Sequence, residues 1–174
     1  MKRRKKSKLI VSDAAPLIQL ALSHHLQILP SLYDVVIPEG VFEETQYYRD
    51  YTDAMEIAKA IVTWLKVVAV WNKKEVKRYM KQKLGKGEAE AMVLCREIRA
   101  HALLISDKYA ATKAEAFGLK TMNIADVVRE AHNAKIMTSQ DVLRLIDTLV
   151  NQSILDTQYI RRLREDAVRW PHRK

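Results

Sequence analysis

Cysteine is almost absent: Cys95 is the one thiol in 174 residues. A lone cysteine builds no disulfide framework and no cysteine-based zinc site, and it suits a reducing cytoplasm. It falls on the apolar side of a helical pattern, where it packs rather than reacts. Long apolar runs are missing as well. No stretch of about 18 uncharged apolar residues occurs, so no membrane-spanning helix is expected. The basic start "MKRRKKSKLIVSDAAPL" leads into an apolar stretch broken by Asp13, which argues against a signal peptide. Glycine is sparse, with four residues in the chain. The segment "GKGE" has the spacing of neither the P-loop nor the dinucleotide fingerprint. No low-complexity linker divides the chain.

What the chain does have is unevenly placed positive charge. The net charge is +9. Residues 1–8 carry six basic residues and no acid, residues 73–86 seven and one, residues 161–174 six and two. The remainder is net acidic. Basic segments around an acidic body suit a polyanion held near carboxylates, although a solvated basic surface would look the same. The length suits one domain, or one domain with a helical appendage, and 48% apolar content supports a sizeable core.

Periodicity alternates between strands and helices. "KLIVS" at 8–12 reads as a buried strand, followed by a helical stripe over 16–27 with Pro16 in its first turn. "DVVIP" at 34–38 is a second strand, and "EGVFEETQYY" continues as helix. A helix over 52–65 precedes a short strand, "KVVAV". The basic stretch 73–84 forms a helix with its charges outward, broken by Gly85 and Gly87. Helix 88–100, strand "ALLIS", a helix closed by Gly118, strand "LKTM" and helix 123–133 complete the alternation. Helix 139–151 and a final basic helix, capped by Asp156 or Thr157 and running to about 170, form a tail. Strands separated by helices predict a parallel α/β sheet sandwiched by helices.

Two strands end alike. "KLIVSDAAP" and "ALLISDKYA" each run from apolar residues into Ser-Asp, at Ser12-Asp13 and Ser106-Asp107. Strand ends of this kind line the carboxyl edge of a parallel sheet, where function gathers. Two buried carboxylates at one edge repel each other, and a divalent cation with oxygen ligands removes that cost. Glu88 and Glu90 in "GKGEAEA" stand at a helix N-terminus just before the second of these strands. They point about 200° apart on a helix, so one of them faces the edge. Glu43 or Glu44 in "FEE" adds another acid. Taken alone, each of these is an ordinary helix acid; with the Asp pair they form a set for Mg²⁺ or Mn²⁺. Acids and basic arms together indicate metal-assisted phosphodiester cleavage. Lys73, Lys74, Lys77, Arg78, Lys81 and Lys86 are the residues to hold a polyanion's phosphate backbone. Tyr47, Tyr48 and Tyr51, with Arg49, either stack on bases or form a packed loop. His24 and His25 lie among leucines, one packed and one facing solvent.

The order "LIVSDAAPLIQLA", "VVIPEGVFEE", "GEAEAMVLC", "LLISDKYAATKAEAFGLK" resembles a PIN domain, most of all the prokaryotic branch related to VapC-type toxins. "GEAEA" followed by an apolar strand and Asp is its most specific part. The resemblance implies a PIN-type, Rossmann-like parallel sheet over residues 8–133, after a basic arm at 1–7 and before a helical extension at 134–174 packed on the same domain. It implies a Mg²⁺- or Mn²⁺-dependent ribonuclease acting on single-stranded RNA. Carried over by position, the acids are Asp13, Glu44 (with Glu43 beside it), Glu88 (with Glu90 as the other option) and Asp107. It further implies a cytoplasmic toxin held by a small antitoxin protein, and a homodimer. The chain departs from the family pattern at Ala14 and Ala15, where a hydroxyl or amide follows the first acid. Such a group can hold a metal-site carboxylate or water. Ser12 and Ser106, alternating away from the acids, do not replace it. That pair of alanines motivates the alternative of a catalytically weak or inactive PIN-like module that binds RNA or docks a partner. A phosphoacceptor domain is disfavoured, because Ser12 and Ala14 flank Asp13 where a second acid would be needed.

Overall fold

The computed structural model describes residues 7–151 together with 161, 164, 165, 167 and 169. The basic arm before Ser7 and most of the expected final helix lie outside these residues. Five parallel strands form one sheet in the order β3-β2-β1-β4-β5. They are β1 (Lys8–Ser12), β2 (Tyr33–Pro38), β3 (Lys66–Val68), β4 (Ala102–Leu104) and β5 (Thr121–Met122). β1 is central. Its Ile10 and Val11 are fully buried, because helices cover both faces of a parallel sheet. Edge strand β3 is instead largely exposed and carries Lys66, a charge that discourages further pairing.

The connecting helices are α1 (Ala14–Leu22), α2 (Ile28–Leu32), α3 (Glu39–Thr45), α4 (Thr52–Thr63), α5 (Lys73–Met80), α6 (Lys86–Glu97), α7 (Lys108–Ala116) and α8 (Ile124–Asn133). α9 (Ser139–Asn151) follows. It buries Val142, Leu145, Ile146 and Leu149 in the same core, and Ala167 joins them. Arg164 pairs with Asp147 of α9. No helix among the described residues is long and apolar enough to cross a membrane. The chain runs from β1 outward through β2 and β3, then returns to the other side of β1 with β4. That reversal puts a crevice at the carboxyl ends of β1 and β4.

Several boundaries differ from the periodicity. The helix expected over 16–27 stops at Leu22. His24 takes a left-handed φ of 57°, and the amides of His24 and His25 bond back to Ala21 and Leu20. This is a glycine-type helix ending made by a histidine, so no glycine marked it. Gly87 does not break a helix. It lies in the first turn of α6, with Gly85 as N-cap. Strands β3 and β4 each end two residues earlier than expected, at Val68 and Leu104. α5 ends at Met80, and its N-cap is Asn72, whose side chain accepts the Glu75 amide at 3.0 Å.

Candidate active site

β1 ends one residue before Asp13, which becomes the N-cap of α1. Its amide donates to the Leu104 carbonyl of β4 at 2.9 Å, fixing it over the crevice. Asp13 is buried, and its Oδ1 has no hydrogen-bond partner. Burial pushes its pKa up to about 7. The amides of Ala14 and Ala15 favour the charged form, while Glu88 and Glu44 add like charge and disfavour it. A buried carboxylate facing two others is costly unless a cation joins them.

Glu44 reaches this group from the last turn of α3. Its Oε1 accepts the Gly87 amide at 3.1 Å. Burial raises its pKa; Gly87 and Lys86 oppose this, and Glu88 and Glu90 reinforce it. The approach is so close that a Cβ on Gly87 would stand 2.5 Å from Glu44 Oε1. Glu43, next in sequence, turns outward to Lys86, 2.6 Å away. Glu88 reaches back to the Gly85 amide at 2.9 Å. Asp107 stands beyond β4 as the N-cap of α7, its Oδ1 accepting the Ala110 amide at 2.7 Å.

Asp13, Glu44 and Glu88 thus act on one another electrostatically, and Asp107 lies at the neighbouring strand end. Glu90 does something else. It is buried, its Oε2 accepts the Gly40 amide at 2.7 Å, and its Oε1 lies 3.8 Å from Lys73 Nζ. It braces α6 against the start of α3. Gly40 must be small there, since its Cβ would meet Glu90 Oε2 at 2.8 Å. The two glycines were missed as site residues; an isolated Gly inside a helical pattern is the signal for such a close approach.

Among the described residues, no three His, Cys, Asp or Glu side chains are gathered tightly enough to hold a metal ion as placed. The donor chemistry nevertheless suits a hard divalent cation. All donors are carboxylate oxygens, Asp13 Oδ1 is an orphaned buried acceptor, and Glu44, Glu88 and Asp107 each spend one oxygen on a backbone amide.

The basic residues divide in two. Lys73 pairs with Glu39 and Glu90, Arg78 with Glu75, and Lys86 with Glu43. Lys74, Lys77 and Lys81 make no ion pair among the described residues. A pocket of about 500 Å³ brings Lys81 together with Lys83, Lys113, Gln82 and Tyr109. Tyr109 donates its hydroxyl to the Gln82 carbonyl at 2.8 Å, and Lys113 Nζ lies 5.4 Å from its ring centre. Lys83 and Lys113 were not singled out from the sequence.

The remaining candidates are structural. Ser106 donates to Gln19 Oε1 at 2.8 Å, and Ser12 bonds to the Asp13 carbonyl. Cys95 is buried, which pushes its thiol up to about 11. His24 is exposed and meets Glu56 at 3.0 Å, an acid that sequence spacing did not offer.

A five-stranded parallel sheet flanked by helices, with Asp13 and Asp107 just beyond the ends of neighbouring strands, has the architecture of a PIN-type α/β domain. The DUF3368 family, a PIN domain, matches residues 9–165, and the chain belongs to that family. PIN domains are in general nucleases and typically use divalent metal ions. No curated protein matches the chain.

Proposed function

We propose that the protein is a Mg²⁺- or Mn²⁺-dependent endoribonuclease that cleaves single-stranded RNA. The observation that carries this reading is Asp13: a buried carboxylate with an unpartnered oxygen, at the sheet edge, facing Glu44 and Glu88. Asp13, Glu44, Glu88 and Asp107 would hold the cation. When bound, it supplies positive charge at the scissile phosphate and lowers the pKa of a water. The chain's own part is positioning. The Gly87 and Gly85 amides fix one oxygen each of Glu44 and Glu88, leaving the other for the cation. Lys81, Lys83 and Lys113 hold the phosphates of the strand beside Asp107, with Lys74 and Lys77 as further contacts. Lys73, Arg78 and Lys86 are already neutralised by acids and contribute less.

Within this reading the chain is a cytoplasmic toxin, restrained by a small antitoxin protein and acting as a homodimer. These parts rest on the resemblance to VapC-type toxins. The second reading, an inactive RNA-binding or docking module, rests on Ala14 and Ala15, which give the first turn of α1 no hydroxyl beside Asp13.

The test is incubation of purified protein with single-stranded RNA and Mn²⁺. Cleavage that EDTA abolishes and Asp13→Asn removes is expected. Equal behaviour of wild type and variant, or indifference to EDTA, would overturn the enzymatic reading. Salt-sensitive binding without cleavage under any divalent cation would favour the second.

A further inference from the structure

Three of the seven tyrosines fall within five residues, on the turn between α3 and α4. Tyr47, Tyr48 and Tyr51 are 77%, 61% and 62% exposed, an unusual surface for three large rings at once. The turn is held in shape. The Tyr47 amide donates to the Glu44 carbonyl at 3.3 Å and the Tyr51 amide to Tyr48 at 3.0 Å. The Gln46 side chain ties the turn to the Ala54 carbonyl of α4 at 3.1 Å. The Tyr48 and Tyr51 rings are stacked, 5.2 Å between centres and 19° from parallel, and Tyr47 meets Tyr48 edge-on at 4.8 Å. Packed aromatic pairs of this kind hold their rings in fixed orientations, and here the rings stay more than half exposed. With Arg49 and Asp50 they line a pocket of about 310 Å³.

We propose that the stacked Tyr48 and Tyr51 rings form a platform whose outer face takes one unpaired RNA base, four to seven residues beyond Glu44 on the turn after α3. The proposal rests on the ribonuclease reading for its substrate. Three observations favour a base. No aliphatic side chain lines the pocket, whereas a docking groove for an apolar helix would need them. Arg49 makes no ion pair among the described residues, so it is available to a phosphate or a base face. The platform also follows β2, while Tyr109 and Lys113 of the lysine pocket lie on α7 after β4, on the other side of β1 in the strand order. A strand lying across the carboxyl edge would meet rings on one side and lysines on the other. Aromatic stacking of this kind is tolerant of sequence and selective for unpaired bases.

The experiment measures binding alone, with the Asp13→Asn chain in EDTA and a labelled single-stranded RNA read by anisotropy. Tyr48→Ala and Tyr51→Ala are each expected to weaken binding about ten-fold, and Tyr48→Phe to change it less than about two-fold. The loss should vanish with an abasic oligonucleotide of the same length. Alanine variants that bind like the parent, an equal loss on the abasic strand, or no RNA binding at all would overturn the platform. Unchanged RNA binding with altered self-association would assign the patch to a protein contact and also overturn it. Cleavage by the Asp13-containing chain is read separately. Stacking without cleavage keeps the platform and removes the nuclease reading; cleavage with tyrosine-independent binding does the reverse.

Discussion

Gly87 and Glu44 are in contact across 43 residues of sequence: the Gly87 amide donates to Glu44 Oε1 at 3.1 Å, and no Cβ fits between them. The contact sets where a candidate metal-binding carboxylate stands. Gly87→Ala would gain up to about 1 kcal/mol of helix propensity within α6. The atoms it strikes belong to the end of a flexible side chain, so Glu44 swings away, and the Gly87 amide it leaves without an acceptor costs on the order of 1 kcal/mol. The two terms offset, so the expected outcome is a protein that melts near the wild-type temperature while nuclease activity falls about ten-fold or more. A variant that is destabilised yet fully active would show that the contact serves packing instead.

The contact between Gly40 and Glu90 predicts the opposite balance. Here the carboxylate is buried and the Gly87 backbone lies 3.3 Å from the added methyl, so neither neighbour can step aside. Gly40→Ala should destabilise by about 1–3 kcal/mol in urea unfolding. Glu90→Ala strands the Gly40 amide and should cost about 1–3 kcal/mol, whereas Glu90→Gln keeps an acceptor and costs less. Glu90→Gln should also retain most activity at saturating Mn²⁺. A stable Glu90→Gln chain that has lost its response to Mn²⁺ would make Glu90 a ligand instead of a brace.

Asp13 carries a pH signature. Its pKa in the folded, metal-free protein is raised to about 7 from an ordinary 3.8. The folded state therefore favours the protonated carboxyl. Its contribution to stability is fully present below about pH 4 and is lost as pH rises through 7. Asn mimics the protonated form. In EDTA, Asp13→Asn and wild type should unfold alike near pH 4, and the variant should be more stable at pH 8, by on the order of a few kcal/mol. Adding Mn²⁺ at pH 8 should stabilise wild type and not the variant. A stability gap that stays constant from pH 4 to 8 would contradict a desolvated Asp13.

Local pattern carried the fold further than the site. The apolar runs at 8–12 and 34–38 match β1 and β2 closely, because central parallel strands are buried on both faces and cannot hide their composition. The Ser-Asp echo marked both acid-bearing strand ends. What spacing could not separate was partner choice over long range. Glu88 and Glu90 differ by two positions, and only the packing of α6 on α3 sends Glu90 to Gly40 and leaves Glu88 near Asp13. Glu43 and Glu44 part in the same way, one to Lys86 and one to Gly87. The basic run at 73–86 read as one surface, because Glu39 and Glu43, which pair with Lys73 and Lys86, come from α3, more than thirty residues earlier, and Glu90, which also meets Lys73, comes from α6.

That division of the lysines can be read from salt dependence. Each phosphate contact to single-stranded nucleic acid contributes about 0.7 to the slope of log K against log salt. Replacing Lys81, Lys83 and Lys113 together by Ala removes three cations that are free of acid partners among the described residues and share one pocket. The slope should fall by about 2. Replacing Lys73 and Lys86 removes charges that Glu39, Glu90 and Glu43 already offset. Their loss should leave the slope within about 0.7, one contact, of wild type. Measured on the Asp13→Asn chain in EDTA, these slopes are independent of cleavage. A larger drop from the Lys73 and Lys86 pair than from the pocket lysines would move the RNA path onto α5 and away from Asp107.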